Sequence, residues 1–337
     1  MFPSMPPDGD RDNPWGDDVS REIARSSPRS AAGVYGAVPA DEDVARTDLD
    51  DEVEENDQEI EDVPVRRELS VAIAGFAALL AAALVVGAQT SGPDARAPYA
   101  IVIFGVQLLY ILSWTMAMRP PAPLVVAAVA LATGAVADYT AVTGATPRVM
   151  PLVYWALAGV AAVVAGQFAL RVDRLRVRDA LGSTLLIVSG PVAFASLIVL
   201  TRKPIGTQSI TVCLAAAGLA LVVARLTDAV LPRPRIAPQV ARGATGIILG
   251  AMLGTLGAAG LGSVLVLPFT PAKGAVLGLI AAGVAVLVDL AVNFTEAGRG
   301  VAGDTPTFWL ARHMQGPLGA MAAVVPPAYV MTTFLQV

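Results

Sequence analysis

The sequence contains one cysteine, one histidine and only two lysines among its 337 residues. Its cysteine, Cys213, lies within an apolar run, so an intrachain disulfide and a cysteine-based metal site are both excluded. Its histidine, His313, belongs to no H-E-x-x-H motif and would need several carboxylates to complete a zinc site. The chain is therefore poor in the side chains that bind transition metals.

Charged residues are also scarce, at 15% of the sequence, whereas 55% of the residues are hydrophobic and the mean hydropathy is +0.63. A soluble globular chain is typically about one quarter charged. This composition predicts an integral membrane protein.

The charge that is present is divided unevenly along the chain. Residues 1–64 hold 19 of the 28 acidic residues and 5 of the 23 basic ones, giving about −14, whereas residues 65–337 carry about +9. We expect a disordered acidic cytoplasmic tail over 1–64 and a transmembrane helical domain over 65–337, because the tail has too few large apolar residues to offset the entropy of ordering. Docking of this tail onto a basic partner is the alternative interpretation.

The first apolar run begins only at Leu69, so no cleavable signal is predicted and the first span should serve as the insertion signal. The preference for arginine over lysine, together with abundant alanine, suggests a bacterial protein from a GC-rich genome.

From Leu69 onward, apolar runs approach the roughly 20 residues that cross a bilayer core about 30 Å thick. They lack the two-residue alternation of a membrane β-barrel, so an all-α, polytopic fold is predicted. About nine spans are expected, over 69–89, 98–118, 124–143, 149–170, 180–200, 208–230, 244–267, 272–294 and 317–336.

Loop charges predict the orientation, because arginine and lysine accumulate on the cytoplasmic side. With the N-terminus inside, twelve basic residues fall in cytoplasmic segments and five in outer loops. The prediction is a multi-pass protein of the cell membrane with its N-terminus in the cytoplasm and its C-terminus outside.

Ionisable side chains inside spans are candidates for function because they are costly to bury in lipid. Arg225 and Asp228 lie three residues apart in the sixth span, so a structural ion pair between them is the favoured interpretation. Asp138 lies near the outer end of the third span and is expected to reach the interface. Asp289 lies in the eighth span with Asn293 one turn further on the same face, a stripe that either binds a cation or headgroup or lines a helix contact.

The seventh span begins with Gly246, Gly250 and Gly254 at four-residue spacing, which indicates close packing against another helix rather than a nucleotide-binding loop. Its glycine content and Pro268 also leave open a broken or re-entrant helix. His313 and Arg312 are expected in the loop after the eighth span, where they either contact phosphate or are solvated at the interface.

The region from about Ala275 to Tyr329 resembles the end of the phosphatidate cytidylyltransferase (CDP-diacylglycerol synthase) family. In that family, a late span ends in G-D-L-x-E-S and is followed by a K-R pair with a K-D-x-G segment. An H-G-G-x-x-D-R-x-D segment then leads into a final P-x-A-Y-like helix. The corresponding residues here are Asp289-Leu290 with Asn293, then Gly303-Asp304, then His313 with Gly316, followed by Pro327-Ala328-Tyr329.

The sequence departs from the family at most charged positions of these motifs. The K-R pair is missing, Gly303 replaces the lysine, and Pro317 to Ala320 replace the acidic D-R-x-D segment. Phosphoryl transfer depends on charge neutralisation by metal ions and basic groups, so the resemblance implies a shared fold more than a shared reaction.

The favoured hypothesis is a non-catalytic accessory or scaffold protein of bacterial envelope or lipid metabolism, which binds no cofactor and associates with membrane lipid and other membrane proteins but not with nucleic acid. One alternative is an enzyme that makes CDP-activated lipid from CTP and phosphatidate. Its candidate catalytic residues are Asp289, Asn293, Asp304 and His313, with Mg²⁺ on Asp289 and Asp304. Another alternative is a small-molecule transporter coupled through Asp289 or Asp138.

Overall fold

The structure is a computed structural model that describes residues 66–91, 96–265, 269–303 and 308–335. This part of the chain is helical, and it contains only an isolated antiparallel bridge between Arg235 and Gly243 instead of a β-sheet. Asp304 and the acidic tail predicted over 1–64 lie outside the described residues.

Nine described helices are long and apolar enough to cross a membrane, which confirms the predicted fold class. In chain order, α1 to α9 are Arg67–Thr90, Arg96–Met118, Pro123–Thr143, Met150–Ala169, Leu181–Thr201, Gly206–Val230, Ala244–Val264, Pro271–Val301 and Trp309–Leu335. A short helix, Arg174–Asp179, joins α4 to α5.

Two predicted boundaries are wrong, because α8 continues to Val301 and α9 begins at Trp309 rather than at residue 317. The prediction followed apolar content, whereas a helix can extend beyond its apolar part with polar side chains at its end. His313 and Arg312 consequently lie in the first turns of α9 and not in a loop. The seventh span is one uninterrupted helix from Ala244 to Val264.

The helices form two groups on either side of α9. In one group, α6 contacts α1, α7 and α8; in the other, α5 contacts α2, α3 and α4. Helix α9 packs against members of both groups, and α5 and α6 are the most deeply buried spans. The core of the domain is therefore centred on α5, α6 and α9.

Because the helices alternate in direction, the bundle has two ends that we name after one residue each. The Arg66 end carries the start of α1 and the end of α8, where the Arg299 guanidinium donates to the Ala117 carbonyl. The Lys203 end carries the α3–α4 and α5–α6 turns, where Arg202 Nη2 donates to the Gly144 carbonyl at 2.6 Å.

The glycines at the start of α7 allow its close approach to α6, as predicted. A Cβ atom on Gly250 would lie 2.5 Å from the Ala220 carbonyl oxygen, and one on Gly254 would lie 2.7 Å from that of Ala216. Larger residues at these positions would push α7 away from α6.

Candidate functional site

Four charged side chains meet between α6, α7 and α8 and form what we call the charge cluster: Arg225, Asp228, Arg242 and Asp289. Asp289 Oδ1 accepts a 2.6 Å hydrogen bond from Arg225 Nη2. Asp228 Oδ2 accepts one of 2.6 Å from Arg242 Nη1. Arg242 Nη2 also lies 2.7 Å from Asp289 Oδ2, an ion pair without the alignment of a hydrogen bond. The four residues are thus joined in one chain of alternating charge.

The charge cluster is almost completely removed from solvent. Arg242 and Asp289 are 0% exposed, Asp228 is 1% exposed and Arg225 is 8% exposed. Burial of a single ion is very unfavourable, but two arginines and two aspartates together are neutral. Arg242 lies just outside the spans, where burial and then the neighbouring Arg225 lower the pKa of its guanidinium, opposed by the two carboxylates.

Small residues make room for the charge cluster. The backbone N–H of Gly243 donates a 3.0 Å hydrogen bond to Asp228 Oδ1. A Cβ atom on Gly316 of α9 would collide with Asp289 Oδ1, and one on Gly246 of α7 would collide with Asp228 Oδ1. Helix α9 therefore closes the cluster with a backbone surface.

The predicted pair between Arg225 and Asp228 is wrong. The two residues share a face of α6, but Arg225 binds Asp289 of α8 and Asp228 binds Arg242. The three-residue spacing identified the face correctly, whereas carboxylate and guanidinium groups from other segments provide the direct partners.

The described members of the predicted catalytic set have different contacts. Asp289 is in the charge cluster, and the side-chain amide of Asn293 donates to the carbonyl oxygen of Asp289 within α8. His313 is half-buried and packs edge-on against Trp309, with ring centroids 5.2 Å apart. Glu296, which extends the polar stripe, pairs with Arg312 at the start of α9.

Metal binding at Asp289 is not favoured by these contacts. Both carboxylate oxygens face guanidinium groups, which occupy the positions that a cation would take. Within the described residues, no group of three or more histidine, cysteine, aspartate or glutamate side chains could hold a metal ion.

Asp138 is buried, at 6% exposure, so the prediction that it reaches the interface is wrong. Its Oδ1 atom accepts a 2.8 Å hydrogen bond from Gln107 Nε2 of α2. Sequence position indicated the depth of Asp138 along α3, but not that its side chain faces α2.

A second feature, for which sequence reasoning found no signal, is an apolar cavity of about 450 Å³ between α2, α4, α5 and α9. Its inner wall includes Trp114 and Leu152, which are 3% and 1% exposed. At its edge lie the exposed side chains of Val153, Leu186 and Val330, so the cavity opens at the side of the bundle.

Tyr110 shapes the wall of this apolar cavity. Its hydroxyl donates a 3.0 Å hydrogen bond to the Leu186 carbonyl, and its ring occupies the space that a Cβ atom would need at Gly190. The ring also stacks with Trp114 at a centroid distance of 5.2 Å. These contacts fix both aromatic side chains of α2 at the cavity.

Two basic residues lie near the cavity at the Lys203 end. Lys203 Nζ is 4.1 Å from the centre of the Tyr329 ring, which lines the cavity, and donates a 2.9 Å hydrogen bond to Thr333 Oγ1. Arg148 is exposed and directly precedes Val149, another lining residue. Positive charge therefore adjoins one end of the apolar cavity.

No protein-family model, no curated protein and no solved structure matches the chain.

Proposed function

We propose that the chain is a non-catalytic membrane protein that binds a phospholipid, with one acyl chain in the apolar cavity, and that it acts as an accessory or scaffold factor in lipid or envelope metabolism. The observation that carries the proposal is the cavity itself. At about 450 Å³ it lies within the range of roughly 300–1,000 Å³ that is usual for ligand sites.

The dimensions of the cavity support an acyl chain as its occupant. On α5 the lining residues extend from Leu186 to Ser196, and on α9 from Gly319 to Val330. At 1.5 Å per helical residue, each stretch is about 15 Å long. A bilayer core is about 30 Å thick, so the cavity is about as long as one leaflet is deep.

The location of the cavity also supports a lipid. It opens at the side of the bundle, where exposed apolar side chains such as Leu186 and Val330 favour contact with hydrocarbon. An acyl chain can enter from the membrane without crossing water, whereas a polar metabolite would first have to enter the bilayer.

The basic residues next to the cavity favour an anionic headgroup. Lys203 and Arg148 lie on adjacent turns, because Arg202 binds the carbonyl of Gly144 in the α3–α4 turn. A phosphate near these two side chains would receive charge-assisted hydrogen bonds. With the predicted orientation, this headgroup belongs to the outer leaflet.

The state of Asp289 supports a non-catalytic function over nucleotidyl transfer. A cytidylyltransferase needs carboxylates that are available to Mg²⁺, but Asp289 is neutralised by Arg225 and Arg242. This arrangement stabilises the contact between α6, α7 and α8 and leaves little negative charge for a cation.

The proposal is tested by native mass spectrometry of the purified full-length protein in mixed phosphatidylglycerol and phosphatidylcholine nanodiscs. We expect one bound phospholipid, enriched in phosphatidylglycerol. The Ala156→Trp variant should lose it because an indole fills the cavity, whereas Ala78→Trp on the exposed face of α1 should retain it.

Charge variants test the headgroup separately. Lys203→Gln combined with Arg148→Gln should remove the preference for phosphatidylglycerol, whereas Lys273→Gln, an exposed lysine at the same end, should not. Equal lipid retention by Ala156→Trp and Ala78→Trp would refute the cavity as the site. Incorporation of labelled CTP into lipid, lost on Asp304→Ala, would establish the enzymatic alternative instead.

A further inference from the structure

Asp138 and Asp289 are both buried aspartates, but their surroundings are opposite in charge. Asp289 contacts two guanidinium groups, whereas the ion pairs formed by the described residues do not include Asp138. The hydrogen-bond partner of Asp138 is the neutral carboxamide of Gln107. A single buried carboxylate without a positive partner is far less stable than its protonated form.

The hydrogen bonds of Gln107 fix the orientation of its carboxamide. Nε2 donates to Asp138 Oδ1 at 2.8 Å and to the Pro191 carbonyl of α5 at 3.0 Å. Exchange of the nitrogen and oxygen positions would place the amide oxygen against two acceptors. Both N–H groups of Gln107 are therefore already in use.

This arrangement is short of one donor. Gln107 Oε1 and Asp138 Oδ2 are both buried and have no hydrogen-bond donor within the described part of the chain. Gln107 is 0% exposed, and a Cβ atom on Gly134 would lie 3.0 Å from its Oε1 atom, so the carboxamide is held closely against α3. A proton on the Asp138 carboxyl supplies the missing donor and removes its charge at the same time.

The other ionisable groups around Asp138 do not replace that proton. Arg202 Nη1 donates to the Ala141 carbonyl, and Arg96 Nη1 donates to the Val142 carbonyl, both at the end of α3 beyond Asp138. On α3 and the helices packed against it, the remaining ionisable side chains are the phenols of Tyr99, Tyr110, Tyr139 and Tyr154.

We propose that Asp138 is a proton-binding site of the membrane domain, occupied while α2, α3 and α5 are packed around it and emptied only when water reaches the carboxyl. This site is separate from the apolar cavity and does not depend on lipid binding. A proton fits the position because it gives Asp138 a hydroxyl donor where Gln107 Oε1 and Asp138 Oδ2 have none, while one N–H of Gln107 already binds Asp138 Oδ1.

The first test is infrared spectroscopy of the full-length protein in nanodiscs at pH 7. We expect a carboxylic-acid C=O stretching band that Asp138→Asn removes and Asp289→Asn does not. If Asp138→Asn leaves the carboxylic-acid region unchanged, Asp138 is ionised and the proposal is wrong.

The second test is thermal unfolding of the same proteins. The carboxamide introduced by Asp138→Asn would imitate the protonated carboxyl, so this variant should unfold at or above the native temperature, whereas Asp289→Asn should unfold well below it. Since the native protein would release one proton from this site on unfolding, its stability should fall from about pH 4 upward relative to Asp138→Asn.

Two results of the second test would overturn the proposal. One is a decrease in the unfolding temperature of Asp138→Asn as large as that of Asp289→Asn, which would mean that the negative charge of Asp138 is required. The other is stabilisation of the native protein by NaCl over choline chloride that Asp138→Asn abolishes, which would identify a bound cation.

Discussion

The guanidinium of Arg242 lies 2.7 Å from the carboxylate of Asp289, so the residue that precedes α7 by two positions reaches the middle of α8. Arg242 also binds Asp228 of α6, and it is 0% exposed. One side chain therefore connects three helices through charge.

Removal of this side chain should be strongly destabilising. In Arg242→Met, two aspartates would remain with only Arg225 to neutralise them, and loss of one partner from a buried ion pair typically costs about 3–5 kcal/mol. We expect a large decrease in the thermal unfolding midpoint of the detergent-solubilised protein. Arg178→Met is the control, because its 3.6 Å pair with Asp179 is exposed and should contribute almost nothing.

A double substitution distinguishes charge from packing. In Arg242→Met with Asp289→Asn, one positive and one negative charge are lost together, and Arg225 and Asp228 remain as a neutral pair on α6. The double variant should be more stable than the sum of the two single losses implies, by about 0.5–3 kcal/mol. Strictly additive losses would show that the two charges act independently.

Replacement of Gly316 by even the smallest side chain should destabilise the protein. A Cβ atom there would collide with Asp289 Oδ1, and Arg225 Nη2 is only 3.6 Å away, so Gly316→Ala must displace α9 or disturb the ion pair. We expect a loss of about 1–3 kcal/mol in unfolding measurements. Gly283→Ala in α8 is the matched control, because its Cβ would have no neighbour within 4 Å; equal losses would argue against the collision.

The predicted orientation can be tested through the single native cysteine. Cys213 is 1% exposed, so a Cys213→Ala background can carry single new cysteines. In intact cells, an impermeant maleimide should label Arg148→Cys but should label Arg174→Cys only after permeabilisation. The reverse pattern would place the N-terminus outside.

The nine spans were predictable because each depends on its own apolar length, and no partner has to be known. The close packing of Gly250 against another helix was also predictable, because glycines at four-residue spacing form a flat face. That the neighbour is α6 was not predictable from this spacing. The start of α9 was not, because Arg312 and His313 are polar and hydropathy alone does not report that the helix continues through them.

The partners of the buried charged side chains could be identified only from the tertiary structure. Helical periodicity placed Arg225 and Asp228 on one face, but it could not show that Asp289 and Arg242 would meet that face. The same limit applies to Asp138, whose burial depends on Gln107 from a separate helix. The cavity could not be predicted from any single helix, because it forms where several helices, among them α4, α5 and α9, leave a space between them.

The charge cluster also imposes an order on biosynthesis. Arg225 is made 64 residues before Asp289, so α6 enters the membrane before its partner on α8 exists. Arg242 follows Asp228 by 14 residues, so that pair can form before α8 is made, whereas Arg225 has to wait for Asp289. The arrival of α8 is therefore the step at which Arg225 gains its carboxylate and α6, α7 and α8 become joined by charge.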